Sequence, residues 1–187
     1  MRRMFWAFVF SVALLAVSGC AGLQVKEKIV EGNHYIDPNH PVIDVYFPFD
    51  VSVFDERTEH LDDSSVLVKT TILKVPRIYD AALISKVRLP WQQYYWTGAN
   101  VERIENLLYC DKRDDNSGAY VYYIKSDGYH YLVGDVLQYF DERNMYKITI
   151  VEKLFNVYNV EDVKKDKKKS IDRMVENVAF VFSKLKE

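Results

Sequence analysis

The stretch from residue 119 to residue 155 constrains the fold most tightly. Residues 119–125 and 129–140 are rich in aromatic and β-branched side chains and flank Ser126-Asp127-Gly128, where Gly128 can take the positive φ of a tight hairpin turn. A second polar turn over residues 141–144 leads into residues 145–155, where Tyr146, Ile148, Ile150 and Leu154 line one face of a strand. Three such segments in succession predict an antiparallel meander. A sheet with an apolar face needs a second layer to cover it.

That layer is predicted at the C-terminus. Ile171, Met174, Val175, Val178, Val181, Phe182 and Leu185 recur at helical spacing behind Ser170, a suitable N-cap. About four turns of amphipathic helix would lay this stripe on the sheet. Upstream, Ile43, Val45, Phe47, Phe49, Val51 and Val53 share one parity, so residues 42–54 read as a half-buried strand that Pro48 places at an edge or interrupts. Residues 66–75 and 101–110 read as strands, residues 56–65 and 111–118 as polar loops. Residues 79–89 are open between a short helix and a strand. The expected class is α+β, a mostly antiparallel sheet with a meander and a C-terminal amphipathic helix packed on it. The meander over residues 120–155 and the helix over residues 171–185 resemble the PsbP-like fold. A closed, lipocalin-like barrel with a terminal helix is the structural alternative.

The N-terminus carries a different signal. Arg2 and Arg3 precede an apolar run over residues 5–17, broken only by Ser11. As a helix this run would extend roughly 20 Å, too short for a hydrocarbon core of about 30 Å but suited to the apolar region of an export signal. Val17, Ser18, Gly19 and Cys20 then follow in the order of an aliphatic residue, two small residues and a cysteine. This order resembles the lipobox of bacterial lipoproteins. The resemblance implies cleavage between Gly19 and Cys20 and a diacylglyceryl thioether on the Cys20 sulfur, often with acylation of the new amino group. In the Gram-negative sorting rule of that family, Ala21 in place of aspartate favours the outer membrane. An uncleaved N-terminal helix, or an ordinary secretory signal with a chance cysteine, is the alternative. The expected organisation is a signal peptide over residues 1–19, a lipidated cysteine and tether over residues 20–41, and one α+β domain over residues 42–187.

The formal net charge is −2, and the leader holds two arginines and no acid, so the mature chain is more acidic still. That balance argues against a general nucleic-acid binder. Only two cysteines occur, and lipidation of Cys20 leaves Cys110 without a partner in the chain; its apolar neighbours Leu107, Leu108 and Tyr109 predict a buried, inert thiol.

Little else points to chemistry. His34 and His40 fall in the tether near Asp37 and Asp44 at a spacing that matches no compact metal motif. His60 lies among Glu59, Asp62 and Asp63 and reads as solvated, while His130 reads as a structural histidine on a strand. No Gly-x-Ser-x-Gly elbow, His-Glu-x-x-His pair or phosphate-cradling glycine loop is present. We therefore expect no catalytic residue, metal or cofactor. Tyrosine is abundant, with fourteen copies. Trp91, Tyr94, Tyr95, Trp96, Tyr120 and Tyr122 are the candidate binding surface, with Tyr129 and Tyr131 beside them if the sheet faces coincide. The cationic run over residues 164–169 is expected in a loop or first helical turn, where it can meet anionic headgroups or remain solvated. The leading expectation is a non-enzymatic envelope lipoprotein that binds an envelope protein or glycan. A pocket protein for a small apolar or aromatic ligand is the first alternative. A hydrolase using His130 and an acidic residue is the second.

Overall fold

The computed structural model describes residues 26–61, 66–88, 106–113, 117–141 and 143–185. Among them are ten strands and two helices. A small antiparallel sheet holds β1 (Ile29–Glu31), β2 (His34–Asp37) and β3 (Ile43–Tyr46) in that order. The large sheet holds β4 (Ser52–Leu61), β5 (Val66–Lys74), β6 (Ala81–Arg88), β7 (Leu107–Lys112), β8 (Ser117–Ser126), β9 (Tyr129–Tyr139) and β10 (Asn144–Leu154). Its order is β4-β5-β6-β10-β9-β8-β7, and every pairing is antiparallel. The helices are α1 (Val160–Asp166) and α2 (Lys168–Lys184). The fold is α+β, mostly sheet, with the C-terminal helix packed on it. Strands β4 and β7 are edges, so the described strands form an open sheet and not a closed barrel.

The meander forms as its turn residues dictate. Asp127 and Gly128 both have positive φ, 50° and 78°, the pair required by the two-residue turn whose twist matches a hairpin. At the next turn the Asp141 carboxylate accepts the main-chain N–H groups of Arg143 and Asn144 and closes the loop into β10. Tyr146, Ile148, Ile150 and Leu154 share a buried face, as expected. Met145 and Thr149 on the opposite face are buried too, because β10 is central in the sheet.

Two elements cover one face of the large sheet side by side. Helix α2 lies against β8 and β9, with Met174, Val178, Val181 and Phe182 buried beneath it. It sits directly on the β9 backbone at Gly134, where a Cβ would lie 2.8 Å from the Met174 sulfur and collide with Val178. The small sheet joins the same core through Tyr35, Ile43, Val45 and Phe47. Phe49 packs at a tilt against Tyr79, and Asn177 of α2 donates a hydrogen bond to the Tyr79 hydroxyl, which ties the two covers together.

Four expectations are corrected. The tether does not reach Pro41: residues 29–37 form β1 and β2, and buried Tyr35 and Asp37 anchor them. A short polar-looking segment was enough because its inward positions pair with the large sheet. Residues 56–61 are strand rather than loop, since an edge strand with both faces toward solvent carries no apolar alternation. The ambiguous segment resolves as strand β6. Ser170 does not cap α2, whose N-terminal neighbour is Lys167; its hydroxyl donates instead to Glu152 on β10. The lysine run spans both helices, and Asn159 caps α1 by accepting from the N–H groups of Glu161 and Asp162. The alternating segment breaks at Pro48, as expected, and the chain there returns to the small sheet through Phe47 N–H to Asn33 and Val51 N–H to Gly32.

Candidate functional site

The most distinctive chemistry lies where the small sheet stops short of the end of the large one. Register places Lys69 of β5 directly opposite Lys86 of β6, and Leu67 opposite Arg88, which in turn faces Asn144 of β10. Like charges directly opposite across a strand pair are unfavourable, so the arrangement needs an anion beside it. One is supplied from the small sheet. Asp37 on β2 forms an ion pair with Lys86 at 2.8 Å, and both side chains are nearly withdrawn from solvent. The Lys86 ammonium also donates to the main-chain carbonyl of Asn39 at 2.6 Å.

Opposing effects set the charge of this pair. Burial alone would raise the Asp37 carboxyl, but hydrogen bonds from Lys86 and from Asn39 outweigh it and hold the group below the usual carboxylate range. Burial pushes Lys86 down, more than Asp37 raises it, and the positive charges of Lys28 and Lys69 push the same way.

Around this pair runs a cleft in two connected parts. The inner part, about 270 Å³, lies between the sheets and is lined by Tyr35, Asp37, Asn39, Thr71 and Lys86 among others. Here Lys28 is paired with Glu56 and also donates to Thr71 at 2.9 Å. The outer part, about 320 Å³, shares His40, Lys69 and Lys86 with it and adds Leu67, Arg88, Arg143 and Asn144. Among the described residues, four cationic side chains line the outer part and no carboxylate does. Beyond the lining, Asp141 lies 3.9 Å from the His40 ring and is held low by hydrogen bonds from Asn144 and Arg143. The side chains of Lys69 and Arg88 have no hydrogen bond or ion pair among the described residues. In a chain of net charge −2, such a cluster is local organisation and not a reflection of composition.

A second polar centre lies on the opposite face of the large sheet. Asp135 on β9 is 2% exposed, and its carboxylate accepts hydrogen bonds from Tyr122 at 2.8 Å and Thr149 at 2.6 Å. Lys147 of β10 approaches to 3.8 Å. Burial, then the Asp135 charge, drives the Tyr122 hydroxyl far above its ordinary range, so it stays a neutral donor. Next to it Tyr120, Leu137, Tyr139 and Met145 form a compact apolar cluster.

The sequence-derived candidates therefore separate. Register confirms that Tyr120, Tyr122, Tyr129 and Tyr131 share one face of the sheet. Tyr120, however, is 4% exposed and folds over Gly118, so it offers no platform; its hydroxyl is pushed up to about 12 by burial, helped by Cys110 and Tyr139. Tyr122 is half-buried and committed to Asp135. Only Tyr129 of the four is broadly exposed, and Lys153 lies over its ring. Trp91, Tyr94, Tyr95 and Trp96, together with Gly19 and Cys20, lie outside the described residues.

Cys110 is exposed on edge strand β7 and not buried as expected, because β7 has a neighbour on one side only. His34 stacks on Tyr46 and pairs with Asp44 at 2.7 Å, while His40 faces Asp141 and Asp37 faces Lys86. The histidines and acids of this region thus point to different partners, and the described residues hold no group of three potential metal ligands. His130 stacks on Tyr123 and shares a 2.6 Å hydrogen bond with its hydroxyl.

Sequence reasoning missed the cleft and the Asp135 centre. Asp135 left one usable signal, an acid within the apolar run Leu132-Val133-Gly134-Asp135-Val136-Leu137. Lys69, Lys86 and Arg88 left none, since only strand register assembles them. Protein-family models, characterised proteins and solved structures were compared with the chain, and none matches it.

Proposed function

We propose that the chain is a membrane-anchored lipoprotein of the bacterial cell envelope whose domain acts as a non-enzymatic binding or adaptor component. The observation that carries this reading is Val17-Ser18-Gly19-Cys20 placed directly after a basic and apolar leader. Two acyl chains or more hold a protein stably at a bilayer, whereas one gives marginal binding. No helix among the described residues is long and apolar enough to cross a membrane. The domain is held by lipid at Cys20, and Ala21 directs it to the outer membrane where the cell has one.

The cleft favours a second reading within the same location, a pocket protein for a small ligand. Its volume, apolar rim of Pro41 and Leu67, and convergent cations suit a charged small molecule better than a flat protein partner. Growth of expressing cells with an alkyne-tagged fatty acid tests the anchoring. The wild-type chain is expected to take up label and sediment with membranes, and Cys20→Ser to lose both. Equal labelling of the two chains would refute the proposal.

A further inference from the structure

We infer that the outer cleft, built on Lys69, Lys86 and Arg88, binds the phosphate of an anionic membrane-lipid headgroup. The inference rests on the lipoprotein reading for the lipid source, and on the geometry of the cleft for the phosphate.

The phosphate follows from charge and hydrogen bonding. Lys69, Lys86, Arg88 and Arg143 line one opening of about 320 Å³, and no carboxylate among the described residues lines it. Asp37 neutralises Lys86 from the inner side. Lys69 and Arg88 have exposed side chains with no hydrogen bond or ion pair among the described residues. Guanidinium and ammonium groups around one point match a tetrahedral oxyanion with several acceptors. The directly opposed Lys69 and Lys86 are relieved by an anion between them.

The lipid source follows from where the cleft lies along the chain. Asn39 lines the inner cleft, and its carbonyl accepts from Lys86. The same residue clasps the main chain of Lys26, accepting from its N–H at 3.0 Å and donating to its carbonyl at 2.8 Å. Lys26 is six residues beyond Cys20. At about 3.3–3.6 Å per residue, a fully extended chain separates them by roughly 20 Å at most. The cleft is therefore fastened beside the point where the chain departs for its anchor, within reach of headgroups. Pro41 and Leu67 add apolar rim for the glycerol end of such a ligand.

The test uses the full chain solubilised in a neutral maltoside detergent. It is titrated calorimetrically with dihexanoyl phosphatidic acid, dihexanoyl phosphatidylcholine and inorganic phosphate, in parallel with Lys69→Gln/Arg88→Gln. Saturable binding of the anionic lipid is expected, stronger than that of the zwitterionic lipid or inorganic phosphate. The double substitution is expected to weaken it about tenfold or more, the loss of at least one charge-assisted hydrogen bond. Raising salt should weaken wild-type binding in the same direction. Both substituted side chains are exposed, so the melting temperature should be preserved; Arg88→Gln alone gives the same reading if it is not. Absence of saturable binding, or binding that both variants retain, overturns the inference. Inorganic phosphate bound as tightly as the lipid overturns the lipid source. Fatty-acid labelling of Cys20 in the same samples separates the two readings: a labelled chain with an inert cleft fails only here, and an unlabelled chain fails the anchoring proposal.

Discussion

Lys86 and Asp37 show how much one pair of residues decides in this molecule. Each belongs to a different sheet, and their ion pair is a buried polar staple between layers that apolar side chains, and Lys28 with Glu56 and Thr71, also join. Removing one partner leaves the other charge buried, at a cost of about 3–5 kcal/mol, whereas replacing both with apolar groups can be nearly neutral. Asp37→Ala should therefore lower the urea-unfolding free energy by that order. Asp37→Leu/Lys86→Met should recover most of the loss, and a double variant no better than the single one would contradict the staple. The pH dependence has a definite sign. The Asp37 carboxyl is held below its ordinary range in the fold, so its stabilisation is complete above that range and is lost as pH falls through the folded-state value. Acid titration of the unfolding free energy should show a steeper fall below about pH 4 in the wild type than in Asp37→Asn. None of this was legible in the sequence, where Asp37 sits among Pro38, Asn39 and Gly32 and looks like linker.

Among the elements, the meander and the terminal helix were readable because each carries its own period. The β8–β9 turn is written in Asp127-Gly128, and both residues adopt the positive φ that the turn demands. Helix α2 was readable from Met174, Val178, Val181 and Phe182, all of which are buried. Of the small sheet, β3 was readable from the alternation of Ile43 and Val45, but β1, β2 and most of β4 were not, for opposite reasons. Strands β1 and β2 are three and four residues long, too short to show a period, and β4 exposes Val53 and Phe54 at an edge. How α2 seats on the sheet is also invisible in one dimension, because it depends on Gly134 leaving room for Met174 and Val178. Gly134→Ala should push the helix away from β9 and cost about 1–3 kcal/mol, as overpacked cores do. Its thermal unfolding should begin at a lower temperature than the wild type. An unchanged transition would show that the helix can shift freely. Gly128→Ala has open space around it but a φ of 78°, so it should destabilise by about 1 kcal/mol through backbone strain alone.

At the scale of the whole molecule, a shorter leash changes what the proposed anchor would do. The expected tether of about twenty residues would have let the domain stand clear of the headgroups. With Lys26 fastened to Asn39 and β1 beginning at Ile29, the proposed lipid on Cys20 would instead hold the domain near the surface, and the cationic cleft with it. The sorting residue gives an expectation at this scale: Ala21→Asp should move the protein from outer to inner membrane fractions on a density gradient without altering its melting temperature. An unmoved protein would contradict the outer-membrane assignment. The central claim is that Cys20 becomes the acylated first residue. Mass spectrometry of the N-terminal peptide from membrane-extracted protein tests it most directly. The account predicts a peptide beginning at Cys20 and carrying a diacylglyceryl group, with or without an amide-linked acyl chain. A peptide that retains Gly19, or an unmodified Cys20, would contradict it.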